Sequence, residues 1–318
     1  MKRSYQAILK VSGLIASTIA IVYVFLIMHS QWRQISQLSL PLPLSSIVLP
    51  GVCIYSLSFY LMGIAWHHML SRLYPKVTLP VSFWIFSRTQ IGKYLPGNLF
   101  HYAGRQLLGN MCGIPHHILG AVSTSEIFFQ VFSSSMVACL GAIVMPIEPE
   151  YRIILLIGAG LVFLFLILIL YAQRILKWAA SFSLRLKDLI NIRQVGRARY
   201  YLFPLSVYCL HLILIGLLIG YISCRLGSVY FSFVSSLQFI VIYTISWTMG
   251  FVTPGSPGGI GVREALLVTQ LSPILGSLNA VIVALCLRFA AILGDAVLFL
   301  TSYWIPKPIH IIEKKKKP

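Results

Sequence analysis

Apolar positions run on at several places in this chain for the length of a membrane span, and charged positions gather between those runs. No Asp, Glu, Lys or Arg interrupts residues 11–32, 153–173, 202–224, 226–262 or 265–287. Roughly 20 apolar residues carry an α-helix across a bilayer, whereas a membrane β-barrel would show ~10-residue segments of alternating polarity. The pattern therefore predicts an all-α polytopic membrane protein, with spans near 9–28, 45–65, 118–146, 151–173, 201–223 and 274–304. Two further segments, about 80–109 and 231–270, are each broken by a Pro/Gly cluster and need not cross fully.

Charge sets the expected orientation. Lys2, Arg3 and Lys10 lie at the N-terminus, seven Lys/Arg against one Asp in 174–199, and Lys307 with Lys314 to Lys317 in the tail 305–318. Cytoplasmic loops collect Lys and Arg, so both termini and the 174–199 loop are expected in the cytoplasm. The assignment closes only if 80–109 enters and leaves on the cytoplasmic side and 231–270 on the outer side. The expected architecture is then about six full spans plus two oppositely oriented re-entrant hairpins. Two half-repeats, near 9–146 and 151–304, would be inverted relative to each other within one membrane domain covering 1–318. The run after Lys2-Arg3 is too long for a signal peptide and reads as a retained first span. The 174–199 loop reads equally as an amphipathic helix on the inner leaflet or as a plain topogenic loop.

The net charge of +18 follows from this loop bias and from attraction to anionic lipid headgroups. No recognition motif accompanies it, so nucleic acid is not an expected partner. Six scattered cysteines without a C-x-x-C pair argue against a disulfide framework or a zinc site. No metal or cofactor is expected.

The two clusters carry the candidate chemistry. The first is Gly92-Lys93-Tyr94-Leu95-Pro96-Gly97-Asn98; the second is Thr253-Pro254-Gly255-Ser256-Pro257-Gly258-Gly259-Ile260-Gly261. Broken backbone in hydrocarbon leaves unpaired N–H and C=O groups, and is tolerated only where protein or a wet cavity receives them. One break per half of the chain points to a binding site between transporter-type repeats. Lys93 and Arg105 flank the first break, with Asn98, His101 and Tyr102 close by. Cations beside broken helix ends suit an anion such as phosphate. The plainer alternative has Lys93 and Arg105 snorkelling to the interface. In the second cluster a helix starting near Val262 would aim its positive end into the membrane with Arg263 in its first turn. Glu264 would pair with Arg263 or accept from nearby amides. The Gly258-Gly259-Ile260-Gly261 string follows no strand and precedes no Gly-Lys-Ser/Thr, so it does not read as a nucleotide loop.

Glu126, Arg288 and Asp295 fall inside predicted spans, and intramembrane charges call for a partner. Glu126 lies 30 residues beyond Pro96 and Arg288 31 beyond Pro257. This spacing suggests a Glu126–Arg288 pair across the repeat interface, either functional or purely structural. The adjacent pairs His67-His68 and His116-His117 face different sides of a helix and read as interfacial residues, not metal ligands. No Ser/His/Asp or carboxylate-pair constellation is recognisable, so catalysis is not expected.

The two clusters, together with Tyr102-Ala103-Gly104-Arg105 and Val262-Arg263-Glu264-Ala265, make the chain resemble the lysylphosphatidylglycerol synthase transmembrane family, also called the flippase-like domain family. The resemblance implies a bacterial or archaeal inner-membrane protein. It is similar to the membrane domain of the multiple peptide resistance factor, which moves aminoacylated phosphatidylglycerol between leaflets. There a separate soluble domain adds the amino acid; no such domain is expected in these 318 residues, so lysyl transfer is not expected either. The implied function is translocation of an anionic, aminoacylated or polyprenyl-linked lipid across the cytoplasmic membrane. Its headgroup would sit near Lys93, Asn98, His101, Arg105, Arg263 and Glu264, with Pro96, Gly97, Pro254, Pro257, Gly258, Gly259 and Gly261 shaping the breaks. The alternative is an accessory subunit that recruits a cell-envelope lipid or glycan synthesis enzyme through the basic loop.

Overall fold

The computed structural model describes residues 45–95, 99–144, 199–230, 232–253 and 256–306. The expected spans at 9–28 and 151–173, the 174–199 loop and the basic tail beyond residue 306 lie outside the described residues. So do Pro96, Gly97, Asn98 and Pro254.

Eight α-helices make up the described residues: α1 (Ser45–Leu73), α2 (Leu79–Gln90), α3 (Phe100–Met111), α4 (His116–Val144), α5 (Arg199–Arg225), α6 (Phe233–Val252), α7 (Val262–Leu275) and α8 (Ser277–Thr301). α1, α5, α6 and α8 are long and apolar enough to cross a membrane. The chain is a multi-pass membrane protein. α4 covers the expected 118–146 span and has the length. One expectation shifts in kind. The 231–270 segment contains α6, whose 20 residues extend about 30 Å, enough to cross alone.

Local chemistry sets the helix ends. Thr78 enters α2 in extended conformation, with proline in the first turn, where its missing N–H costs nothing. Ser232 caps α6 by accepting from Ser235 N at 3.1 Å. Gly276, at φ +79°, turns α7 directly into α8.

The register of the contacts fixes how the helices run. His67 lies against Ser82, Tyr60 stacks on Phe83 and Lys93 reaches Tyr55, so α2 runs back along α1. Cβ atoms added at Gly51 and Gly294 would meet Ala290 at 3.1 Å and the Tyr55 ring at 2.6 Å. Here α1 and α8 lie side by side in the same direction, with small residues allowing the close approach that membrane helices use. Gly216 likewise lets α5 approach the backbone of α6 at Ile240. α7 runs back along α8, joined through Arg288 and Glu264. The α2–α3 hairpin is thus based at the end of α1, and the α6–α7 hairpin at the start of α8. Their breaks approach each other from opposite ends of the bundle. Behind them Trp66, Leu70, Ile85, Phe86 and Leu119 belong to a continuous buried core.

Candidate functional site

Both Pro/Gly clusters are helix breaks, and the two breaks touch. After Gln90 the chain tightens into a 3-10 turn over Ile91–Tyr94. A second turn, Pro257–Gly259, precedes α7. Gly258, Gly259 and Gly261 hold φ of +57°, +75° and +86°, a side of backbone space that glycine enters freely and L-residues rarely adopt. Ser256 Oγ donates to Ile260 O at 2.9 Å and closes this loop. A Cβ at Gly258 would lie 3.5 Å from Lys93 O and 3.6 Å from the Tyr94 ring. The tip of one hairpin rests on the tip of the other.

Three carboxylates occur among the described residues, and each holds a cation at this junction. Asp295 on α8 takes Lys93 Nζ at 2.7 Å and the Tyr94 hydroxyl at 2.5 Å. Lys93 also donates to Tyr55 OH at 3.1 Å and sits 4.4 Å over the Phe59 ring. Glu126 on α4 pairs with Arg105 on α3, both only 1% exposed. Arg105 further donates to Gln90 Oε1 at 3.1 Å, and Gln130 donates to Glu126 at 3.4 Å. Glu264 accepts from Gly261 N at 2.8 Å, which caps α7, and pairs with Arg288 at 3.3 Å. The expected Glu126–Arg288 pair does not form. Each residue instead joins its own hairpin to the helix that follows it, with the sign reversed between the halves: Arg105 on hairpin and Glu126 on helix, then Glu264 on hairpin and Arg288 on helix. A shared antiparallel contact wins over equal distance from the breaks. Nor does Arg263 pair with its neighbour Glu264, which already faces Arg288 and the loop amide.

Arg263 has no carboxylate among the described residues, and its buried Nε has no hydrogen-bond acceptor. It lines a cavity, partly open to the outside, together with Lys93, His101, Gln90, Gln130 and Glu126. Tyr55, Phe59, Trp247 and Phe251 form its aromatic walls. Arg263 and Tyr55 also line a second, mostly apolar space, beside Glu264 and Arg288. The two spaces share a wall at the hairpin junction.

The whole arrangement lies within a recognisable membrane module: residues 12–298 match the family model described as the lysylphosphatidylglycerol synthase TM region. The chain belongs to that family. No curated protein matches it.

Of the residues expected at the site in this lysylphosphatidylglycerol synthase TM-region protein, Lys93, His101 and Arg263 face the cavity. Arg105 lies buried behind it, and Glu264 faces the adjoining space. Asn98 is outside the described residues. Among the described residues no His/Cys/Asp/Glu group has the arrangement of a metal site. His67 bonds Ser82 and His116 contacts Gln106. Sequence reasoning missed His211. It is buried on α5, its Nδ1 is 3.0 Å from Ser58 Oγ, and it lies edge-on to Tyr55, Phe59, Tyr243 and Trp247. Its signal was available, as a lone ionisable side chain within an uncharged span-length run.

Proposed function

We propose that this protein is a lipid translocase of the cytoplasmic membrane and that the headgroup crosses where the hairpin tips meet. One observation carries the reading: Arg263, a guanidinium without a carboxylate among the described residues, faces a cavity at the junction of two helix breaks. In a low-dielectric surrounding such a charge is costly unless an anion visits it. The polar wall suits a headgroup, the aromatic wall suits its glycerol or prenyl-proximal portion, and the tails would stay in lipid.

In this reading the two hairpins are oppositely oriented re-entrant elements of an inverted repeat, with both termini in the cytoplasm. Their tip-to-tip approach and the sign-reversed Arg105–Glu126 and Glu264–Arg288 links support it. So does the length of α2 and α3, 12 residues each or about 18 Å, against a hydrocarbon core of ~30 Å. α6 is longer, so the second hairpin is the more deeply set. Exchange would then proceed by the hairpins rocking about a fixed site.

The test is transfer of phospholipid between leaflets of vesicles reconstituted with the purified protein, followed by chemical quenching of outer-leaflet label. The wild type should accelerate transfer over empty vesicles, and Arg263→Gln should remove most of that acceleration at equal incorporation. Equal transfer by empty, wild-type and Arg263→Gln vesicles would overturn the proposal and favour an accessory role in a cell-envelope synthesis complex.

A further inference from the structure

We infer that the site selects a headgroup carrying a single net negative charge, a phosphodiester, over both dianionic phosphomonoesters and net-neutral headgroups. The inference rests on the translocase reading for the location of the site, and on two separate observations for its chemistry.

The first is charge stoichiometry. Among the described residues, four cations, Lys93, Arg105, Arg263 and Arg288, and three carboxylates, Glu126, Glu264 and Asp295, stand around the two adjoining spaces. Each carboxylate is committed to one cation. One positive charge is left, and it sits on Arg263. A buried cluster tolerates charge when it is balanced. One negative charge from a ligand balances this cluster; two would leave it negative, and none would leave it positive.

The second observation is the kind of hydrogen-bonding capacity left over. Arg263 Nε and Arg288 Nη2 are buried and without acceptors. Guanidinium N–H groups only donate, so the ligand must bring acceptor oxygens. His101, 6% exposed, has an unpartnered Nδ1 and lines the cavity with Arg263. An excess of donors with one surplus positive charge describes a receptor for phosphate oxygens. It does not describe a site for an ammonium, whose place beside Asp295 and over Phe59 is already taken by Lys93.

The test uses three short-chain probes on the purified protein in detergent at pH 8: dihexanoyl phosphatidylglycerol, with one negative charge; dihexanoyl phosphatidic acid, a phosphomonoester with nearly two; and dihexanoyl phosphatidylcholine, with none. Calorimetry should give the phosphatidylglycerol probe an affinity at least about tenfold above the other two. Arg263→Gln should bring that probe down to the phosphatidylcholine level. Glu264→Gln and Asp295→Asn each add one net positive charge, and either should move the preference towards the phosphatidic acid probe. The two variants disturb different helices, so misfolding of one leaves the other to decide. A wild type that binds all three probes alike would overturn the inference, as would a preference unchanged in both charge-adding variants. Selective binding of the phosphatidylglycerol probe without leaflet transfer would keep the inference and sink the translocase reading. Leaflet transfer without charge discrimination would do the reverse.

Discussion

Removing Arg105 should be among the most damaging single changes to this fold. Arg105 and Glu126 are each 1% exposed and joined as an ion pair. The guanidinium also donates to Gln90 and lies 4.4 Å from the centre of the Phe86 ring. Arg105→Ala strands the Glu126 carboxylate in the interior, with Gln130 at 3.4 Å as its remaining donor. Breaking a buried pair from one side costs about 3–5 kcal/mol, a factor of roughly 150 to 4,000 in the unfolding equilibrium. Replacing both partners, as Arg105→Met with Glu126→Leu, removes the stranded charge and should return stability to within about 1 kcal/mol of wild type. Denaturant unfolding in mixed micelles measures both. Trp66 supplies the fluorescence reporter, since its ring lies 5.5 Å from the guanidinium. A single variant within about 1 kcal/mol of wild type, or a double variant as unstable as the single, would refute this reasoning.

Lys93→Ala leaves Asp295 with the Tyr94 hydroxyl as its remaining donor, and the same unfolding assay should register a loss of about 3 kcal/mol. Gly258→Ala and Gly276→Ala both place an L-residue at positive φ, +57° and +79°, at a cost of about 1–3 kcal/mol each. Only Gly258 touches the opposite tip, so vesicle transfer should fall for Gly258→Ala and stay near wild type for Gly276→Ala. His211→Ala removes a buried hydrogen bond to Ser58, whose hydroxyl still donates to Tyr55 O, and should cost about 0.5–1.5 kcal/mol for that bond in unfolding. In a cysteine-free background, Lys76→Cys at the α1–α2 turn and Ser277→Cys at the α7–α8 turn should react with an impermeant thiol reagent from opposite membrane faces; reaction from one face alone would exclude opposed hairpins.

Much of this architecture was legible in the sequence, because hydrocarbon forces long uncharged helices and punishes every break. The runs around 45–65, 201–223 and 274–304 correspond to α1, α5 and α8, and the two Pro/Gly clusters mark the two hairpin turns. Local composition says less about depth. The run before Thr253 carries no sign that α6 is a full-length arm while α2 is short. The pairing of charges was the least legible, because it depends on which helices are neighbours. Glu264 and Arg288 lie 12 residues to either side of Gly276, so an antiparallel turn there brings them together; counting from the prolines instead joined Glu126 to Arg288. His211 was hidden for another reason. Its hydroxyl partner, Ser58, is 153 residues away in the chain.

The claim that a headgroup crosses between the tips is tested most directly by locking them. Tyr94→Cys with Gly258→Cys, in a cysteine-free background, places one thiol on each tip, where a Cβ at Gly258 lies 3.6 Å from the Tyr94 ring, so that a short, reducible bifunctional thiol reagent can bridge them. Leaflet transfer should stop when that bridge is formed in reconstituted vesicles and resume on its reduction. Transfer continuing at the reduced rate through fully bridged protein would contradict the account.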